Sequence, residues 1–178
     1  NTIYINLNKT AQLVRSFKQV AVDQTSEEKR EFVISKYLDE TLLSMNNIIK
    51  KANINIVTKY TQDIKINSYP GAFSQIITNL IINSIRHGFK DKHEGQIEIE
   101  LSQQNHTIKL IYKDNGCGIT KENLSKIFDP FFTTNRQEGG TGLGLNVIYN
   151  LITSKLNGSI VCNSKESQGV EFIITINI

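Results

Sequence analysis

The chain has 178 residues, of which 39% are hydrophobic, and its formal net charge at pH 7 is +3. This length accommodates one ordinary domain plus an additional element, with enough apolar residues for a core. The basic residues are spread along the chain rather than clustered with aromatic residues, which makes nucleic acid a weak candidate for a partner. No apolar run reaches the roughly 20 residues that a membrane-spanning helix needs.

The two cysteines, Cys117 and Cys162, are isolated in the sequence. No Cys-x-x-Cys pair or paired histidine accompanies them, so they do not form a metal-binding pattern. They predict free thiols in a reducing compartment, which favours a cytoplasmic location. No signal peptide is visible.

Residues 1–21 show the alternating spacing of four and three residues that makes a coiled-coil seam. The seam positions are Ile3, Leu7, Thr10, Val14, Phe17 and Ala21. The pattern fits either an amphipathic helix packed on its own domain or one helix of a dimeric bundle. The bundle is favoured, because so short a helix is unstable alone and precedes the globular pattern. The chain starts at Asn1 inside this pattern, so we expect it to be part of a longer protein.

The rest of the chain alternates predicted helices and strands, after a polar linker at residues 23–30. In chain order, periodicity predicts a strand at 31–34, a helix at 35–52, strands at 53–59 and around 64–66, a helix at 70–87, strands at 96–102 and 107–113, a loop-rich stretch at 114–140, a helix at 142–156, and strands at 159–163 and 170–176. The buried face of the first helix is expected to hold Leu38, Leu42, Met45, Ile48 and Ile49. This order predicts a two-layer α/β sandwich with a mixed sheet rather than a doubly wound fold.

Residues 139–145 read Gly-Gly-Thr-Gly-Leu-Gly-Leu and run directly into an apolar helical pattern. Glycines let a ligand approach the backbone N–H groups closely, and a helix N-terminus favours negative charge. The segment therefore predicts an anion site, in particular for nucleotide phosphates, with a flexible surface turn as the alternative. It is not a P-loop, because no Lys follows the glycines. It is not a dinucleotide fingerprint either, because polar residues rather than a strand precede it.

Asn79 and Asn83 lie four residues apart, on one face of the helix predicted at residues 70–87. Amides on an otherwise apolar helix need partners. They fit either hydrogen bonds at a helix-packing junction or oxygen ligation of Mg²⁺, which keeps several waters and takes few protein ligands. Arg86 follows three residues after Asn83 and could reach a phosphate from the same face.

Two further segments lie in the loop-rich stretch. Asp114-Asn115-Gly116-Cys117-Gly118 ends a strand, and its Asp could accept a hydrogen bond from a ligand amine such as that of adenine. The same residue types are also common in ordinary turns. Residues 127–134 carry three phenylalanines around Pro130, which keeps the segment out of a helix. They fit either a mobile loop that docks on a surface or a corner of the core.

The order and spacing of these segments resemble the N, G1, F and G2 boxes of bacterial sensor histidine kinases. The matching segments are Asn79-Leu80-Ile81-Ile82-Asn83, Asp114-Asn115-Gly116-Cys117-Gly118, Phe128-Asp129-Pro130-Phe131-Phe132-Thr133-Thr134, and Gly139 to Leu145. The resemblance covers about residues 31–178 and implies the Bergerat ATP-binding fold, which these kinases share with Hsp90, type II topoisomerases and MutL. Residues 1–21 resemble the second helix of the kinase dimerisation domain. This places the end of a truncated dimerisation domain at residues 1–24 and a catalytic ATP-binding domain at residues 25–178.

The resemblance implies a role for each matching position on the helix and the strand. Asn83 resembles the Mg²⁺ ligand, and Asn79 is expected near the phosphates. Arg86 stands where a Lys or Arg contacts a phosphate, and with Asn83 it is the expected catalytic pair. His87 stands where an aromatic residue often packs near the base. Asp114 resembles the aspartate that reads the adenine amine.

The other ATP contacts implied by the resemblance lie in the loops. Gly116 and Gly118 would let the backbone pass the base, residues 128–140 resemble the ATP lid, and Gly142 with Gly144 resembles the phosphate cradle. The loop residues expected at the nucleotide are Gly116, Gly118, Ile119, Phe131, Phe132, Arg136, Gly140, Thr141, Gly142, Leu143, Gly144 and Leu145. Arg136 follows Asn135, one position later than the basic residue that many relatives carry.

The phosphoacceptor of these kinases is a His in a His-Glu/Asp motif on the first dimerisation helix. The histidines of this chain are His87, His93 and His106. His93 precedes Glu94 but lies in a charged loop, and His106 lies at a hairpin turn, so neither fits the acceptor. The resemblance therefore implies that ATP and Mg²⁺ serve transfer of the γ-phosphoryl group to a His outside this chain, and from there to an Asp of a response regulator.

The resemblance also implies a homodimer through the helical bundle and a cytoplasmic place within a membrane-anchored bacterial sensor, the anchor lying outside these residues. Two other functions use the same ATP site. One is an ATP-dependent conformational switch that transfers no phosphate. The other is a Ser/Thr kinase of the anti-sigma type, which lacks a dimerisation helix like residues 1–21. A His-Glu/Asp helix upstream of Asn1 would favour the histidine kinase over the switch.

Overall fold

The computed structural model describes residue 23 and residues 28–90, 94–134 and 140–178. The coiled-coil seam predicted at residues 1–21 lies outside this part, as do His93 and Arg136. Within it, no helix is both long enough and apolar enough to cross a membrane.

Helices and strands follow one another in the predicted order. The strands are β1 (Arg30–Val33), β2 (Ile54–Tyr60), β3 (Lys65–Ser68), β4 (Gly95–Gln104), β5 (Thr107–Asp114), β6 (Gly158–Ser164) and β7 (Val170–Asn177). The helices are α1 (Ile34–Ser44), α2 (Asn46–Lys51), α3 (Pro70–Asn83), α4 (Lys121–Leu124) and α5 (Gly144–Asn150). Helices α3 and α5 each continue into one π-helical turn, at Ser84–Gly88 and Leu151–Lys155 respectively.

Five strands form a mixed sheet in the order β2-β4-β5-β7-β6. Strand β2 runs parallel to β4, and the other neighbours are antiparallel. Strands β1 and β3 form a separate antiparallel pair. Alternate side chains of the central strands are buried, whereas the opposite face carries ion pairs such as Lys113 with Glu100 at 3.0 Å. A sheet with one buried and one hydrated face is half of a two-layer structure, which confirms the predicted α/β sandwich.

Helix α3 lies at the centre of the core. Pro70 occupies its first turn, where a missing backbone N–H costs nothing. Its apolar side chains that are at most 1% exposed are Phe73, Ile76, Ile77, Leu80 and Ile81. They belong to the same hydrophobic cluster as the buried side chains of the central strands. This packing fixes the position of Asn79 and Asn83 relative to the sheet.

The helix predicted at residues 35–52 is two helices, because the chain bends at Met45. The N–H of Met45 bonds to the carbonyl groups of both Thr41 and Leu42, at 3.3 and 3.1 Å. The Ser44 hydroxyl also donates to the Thr41 carbonyl, at 2.6 Å. Such competing bonds end a helix. Ile48, predicted on the buried face, lies beyond this bend and is 48% exposed, so that part of the prediction is wrong.

Two boundaries in the second half of the chain also differ from the prediction. The loop-rich stretch contains the short helix α4, whose four residues are too few to show helical periodicity. Helix α5 begins at Gly144 rather than at residue 142, because Gly142 has a φ of +68° and cannot be helical.

Both cysteines are free thiols, as predicted. Burial raises the pKa of the Cys162 thiol to about 12, and the charge of Asp114 adds a smaller increase. This thiol is therefore protonated and unreactive at neutral pH.

Candidate functional site

A cleft of about 470 Å³ opens where the C-terminal half of α3 meets the end of β5. Its other walls come from the segment after β5, from residues 132–134 and from the glycine loop at 140–145. The predicted site residues that line it are Asn79, Asn83, Arg86, His87, Asp114, Gly118, Ile119, Phe132, Gly140, Thr141, Gly142, Gly144 and Leu145. Segments that are far apart in the sequence thus meet at one cleft.

Three predicted site residues in the described part of the chain do not line the cleft. Gly116 is buried against the backbone of Gly88. Phe131 and Leu143 are exposed, to 62% and 37%. The roles of these three residues at the nucleotide stay predictions.

Helix α3 and the π-helical turn that continues it bring five polar or basic side chains to the cleft, Asn79, Asn83, Ser84, Arg86 and His87. After Asn83 the helix widens, since the N–H of Phe89 bonds to the carbonyl group five residues earlier, at 2.8 Å. Such π-helical turns are rare and frequently occur at functional sites. Here the turn places two basic residues at the end of a helix that is otherwise buried and apolar.

Asp114 is the buried carboxylate of the cleft. It ends β5 and is 9% exposed. Its Oδ1 accepts the backbone N–H groups of Gly116 and Val170, at 2.9 and 3.2 Å. Its Oδ2 accepts the Ser84 hydroxyl at 2.6 Å. A carboxylate has about four acceptor directions. One of them therefore remains for a ligand in the cleft.

Ser84 also connects Asp114 to Tyr112, which is fully buried on β5. The hydroxyl oxygens of Ser84 and Tyr112 are 2.8 Å apart. Burial raises the pKa of Tyr112 well above its ordinary value, and the charge of Asp114 raises it further, while the Ser84 hydrogen bond lowers it. Tyr112 is thus protonated and can serve as a hydrogen-bond donor.

The segment after β5 passes the end of the π-helical turn at a contact between two glycines. A Cβ atom on Gly116 would lie 2.7 Å from the Cα of Gly88, which is closer than real Cβ contacts. A Cβ atom on Gly88 would instead lie 3.7 Å from the Asp114 carboxylate oxygens, an ordinary contact. The structure therefore excludes a side chain at Gly116, whereas a Cβ atom fits at Gly88 without a collision.

This asymmetry gives a prediction for stability. Gly116→Ala is expected to lower the free energy of unfolding by about 1–3 kcal/mol, the usual cost of overpacking a buried site. Gly88→Ala, at the other side of the same contact, is expected to change it by less than about 0.5 kcal/mol. Urea denaturation of both variants would measure this difference. Equal losses would show that the contact does not have this geometry.

The turn between β6 and β7 holds the next part of the cleft wall. Gly118 has a φ of +72°, and a Cβ atom there would collide with the carbonyl oxygen of Lys165. The N–H of Ile119 donates to Ser164 Oγ at 2.8 Å, and the Ser164 hydroxyl donates to the carbonyl oxygen of Gly169 at 2.7 Å. These contacts tie the wall to the two C-terminal strands.

The glycine loop packs against two other parts of the site. Gly142 has a positive φ, and a Cβ atom there would collide with the backbone of Phe131. A Cβ atom on Gly144 would lie 3.5 Å from Asn83 Oδ1. The loop backbone therefore passes close to the Asn83 amide, which places both in the same part of the cleft.

The phenylalanines of the predicted lid have different environments. Phe128 packs on Tyr149 and Phe172, with ring centroids 5.5 and 6.4 Å apart, and its carbonyl oxygen accepts the Asn146 amide at 2.9 Å. Phe132 packs on the core and lines the cleft, whereas Phe131 is largely exposed. The start of this segment is therefore anchored at Phe128 and Phe132.

Sequence reasoning missed several residues that line the cleft. Those with polar or charged side chains are Ser84, Lys90, Cys117, Thr120, Asn123, Thr133 and Thr134. The sequence could have identified Ser84, since it is a small polar residue directly after Asn83 on an apolar helix. Lys90 adds a third basic residue to Arg86 and His87. The cleft thus contains two side chains, Arg86 and Lys90, that are cationic by residue type.

Residues 69–178 match the protein family described as histidine kinase-, DNA gyrase B- and HSP90-like ATPases. Sensor histidine kinase AtsR of Burkholderia thailandensis is 30% identical over 150 residues, which cover 82% of this chain and 25% of that protein. Sporulation kinase A of Bacillus subtilis is 28% identical over 174 residues, which cover 97% and 28%. The chain thus spans about a quarter of the length of these relatives.

Solved structures show the same fold. The nucleotide-free catalytic domain of histidine kinase ThkA has a TM-score of 0.73 at 29% identity, over 84% of this chain and 95% of that one. ThkA in complex with the response regulator protein TrrA has a TM-score of 0.69 at 25% identity, over 98% of this chain and 50% of that one.

Proposed function

Because this chain belongs to the family of histidine kinase-, DNA gyrase B- and HSP90-like ATPases, we propose that it transfers the γ-phosphoryl group of ATP to a histidine outside residues 1–178. One observation carries this proposal. Two amides of α3, a buried carboxylate at the end of β5 and a glycine loop meet in one cleft, and each suits a different part of Mg-ATP.

The Asp114 end of the cleft suits adenine. A buried carboxylate with one acceptor direction left can accept a hydrogen bond from the exocyclic amine of the base. Gly88 lies beside both carboxylate oxygens and places no side chain over them. Gly118 and Ile119 also line the cleft, as does His87 on the π-helical turn. We assign the base to this end.

The Asn83 end suits the phosphates and the metal ion. Arg86 supplies a permanent positive charge, and the backbone of the glycine loop passes close to the Asn83 amide. Asn83 would hold Mg²⁺ through its amide oxygen, with Asn79 nearby. Among the described residues no group of three His, Cys, Asp or Glu side chains could hold a metal ion. This fits Mg²⁺, which takes one or two protein ligands and completes its shell with phosphates and waters.

The reaction requires little covalent chemistry from the protein. The bond between the γ-phosphorus and the β–γ bridging oxygen breaks, a bond to an imidazole nitrogen forms, and ADP leaves. Bound Mg²⁺ would neutralise charge on the phosphate oxygens. Asn83, Arg86 and the glycine loop would hold the phosphates in position, and electrostatic stabilisation by such fixed groups is usually the largest contribution to catalysis.

The partners follow from the same proposal. We propose that residues 1–24 end a dimerisation domain that forms a homodimer and carries the acceptor histidine in its preceding helix. Residues 25–178 would be the catalytic domain. The phosphoryl group would pass to an Asp of a response regulator, a class of partner bound by ThkA. We place the chain on the cytoplasmic side of a membrane-anchored bacterial sensor.

Labelled ATP tests the proposal directly. The chain is expected to bind Mg-ATP but not to become labelled itself. With an added dimerisation domain of a sensor histidine kinase, acid-labile phosphate should appear on the acceptor histidine. ATP binding without any transfer would favour a conformational switch, and acid-stable phosphate on Ser or Thr would favour an anti-sigma type of kinase. Label on His93 would contradict the assignment of the acceptor.

A further inference from the structure

We propose that Ser84 and Tyr112 are positioning residues for adenine recognition. Together they form a buried chain of two hydroxyl groups that orients the Asp114 carboxylate, so that its remaining acceptor direction meets the 6-amino group of the base. This inference rests on the proposed function of the cleft as an ATP site. It adds two residues, one of which is remote from the cleft surface, to the determinants of nucleotide specificity.

The direction of the hydrogen bonds in this chain follows from counting protons. A carboxylate can only accept, so the Ser84 hydroxyl donates its single proton to Asp114 Oδ2, at 2.6 Å. Ser84 must then accept from Tyr112, whose oxygen lies 2.8 Å away. Tyr112 is 0% exposed, so water does not compete for its proton. The chain therefore runs in one direction, from Tyr112 through Ser84 to Asp114.

The chain leaves Asp114 with a single orientation. Oδ1 is held by the N–H groups of Gly116 and Val170, and Oδ2 is held by Ser84. If Ser84 lacked its hydroxyl, Oδ2 would have two open acceptor directions instead of one, and water or a rotated carboxylate could satisfy them. An acceptor that is fixed before binding loses less entropy when the ligand arrives.

A fixed acceptor selects a ligand with a donor at the same point. The 6-amino group of adenine donates there, in a hydrogen bond that the carboxylate charge strengthens. Guanine carries a carbonyl oxygen at that position, which would face the carboxylate and leave both groups unpaired. A buried site rejects such a mismatch strongly. Ser84 and Tyr112 would thus contribute to the choice between purines by acting through Asp114.

The test compares ATP with purine riboside triphosphate, which lacks the 6-amino group. Dissociation constants are measured by calorimetry for the unaltered chain, Ser84→Ala, Tyr112→Phe and the double variant. Ser84→Ala is expected to weaken ATP about two- to tenfold, the worth of one hydrogen bond, and to change binding of the analogue less than about twofold. Tyr112→Phe should cause a smaller loss in the same direction.

The double variant separates positioning from folding. Ser84→Ala leaves the Tyr112 hydroxyl buried without an acceptor, which should lower the melting temperature. Adding Tyr112→Phe removes that hydroxyl, so the double variant should melt at a higher temperature than Ser84→Ala. Its preference for ATP over the analogue should stay as low as that of Ser84→Ala, because Tyr112 acts only through Ser84.

Three results would overturn the inference. Recovery of ATP affinity together with the melting temperature in the double variant would make Ser84 a structural residue. If the variants lost equal affinity for ATP and for the analogue, or lost affinity for neither, the hydroxyl chain would have no role in recognising the amine. The proposed function would then still stand. Failure of the unaltered chain to bind ATP would overturn the proposed function and this inference with it.

Discussion

Replacement of Asn83 by Asp is expected to lower the rate of phosphoryl transfer to an added phosphoacceptor domain by at least about 100-fold. The substitution keeps the size of the side chain and exchanges a neutral amide for a carboxylate. Because the glycine loop passes close to the amide oxygen, the new charge would face the position proposed for the phosphates. It would repel them and would change the charge of the proposed Mg²⁺ ligand. A time course with labelled ATP measures the rate.

Asn55→Asp is a matched control for this variant. Asn55 is exposed on β2, and its replacement makes the same change in net charge. Its transfer rate should equal that of the unaltered chain. Full activity of Asn83→Asp would rule out Asn83 as the Mg²⁺ ligand, and an equal loss in both variants would point to net charge rather than to the site.

Asp114→Asn is expected to weaken ATP binding by about 10- to 150-fold, since a hydrogen bond to a charged group contributes about 1.5–3 kcal/mol. The amide oxygen could still accept the N–H groups of Gly116 and Val170. The amide nitrogen would then occupy the Oδ2 position, where its protons would face both Ser84 and the adenine amine. Two donors would meet at the base, which accounts for the loss. Calorimetric titration with ATP measures it.

The same variant should remain folded. With Asn at position 114, the Ser84 hydroxyl can accept from the new amide and donate to Tyr112, so the buried hydrogen bonds survive in the reverse direction. The Tyr112 proton then lacks an acceptor, which should lower the melting temperature. Asp39→Asn is the control, because Asp39 is exposed on α1 and its Oδ1 can still accept the Tyr60 hydroxyl. ATP affinity unchanged by Asp114→Asn would refute the assignment of the base.

The two layers of the fold could be predicted, because the hydrophobic periodicity repeats along whole helices and strands. Strands β4 and β5 alternate buried and hydrated side chains over their length, and α3 is apolar over several turns. The convergence of Asn83, Asp114 and the glycine loop was predicted from the order of the motifs. That order carries information which no single segment contains, since each segment alone also fits an ordinary turn or packing contact.

The remaining features depend on contacts that are not periodic. The break at Met45 results from competing hydrogen bonds within one turn. The π-helical turn after Asn83 lies at the end of the helix, so no later turns reveal the shift in hydrophobic period that it causes. Gly116 was predicted beside the base, but its close approach is to the backbone of Gly88, from a distant segment. Such tertiary contacts cannot be inferred from local sequence.

Strands β5 and β7 are neighbours in the sheet although residues 115–169 lie between them, and Asp114 pairs directly with Val170 at the junction. Most of the cleft wall therefore belongs to one segment of the chain, and the pairing of β5 with β7 fixes both ends of this segment. The entropy cost of closing such a segment grows only slowly with its length. Insertions and deletions in its loops, outside β6, would leave the sheet register intact. Such changes in loop length would keep in place the sheet that positions Asp114, whereas Gly142 remains constrained by the backbone of Phe131.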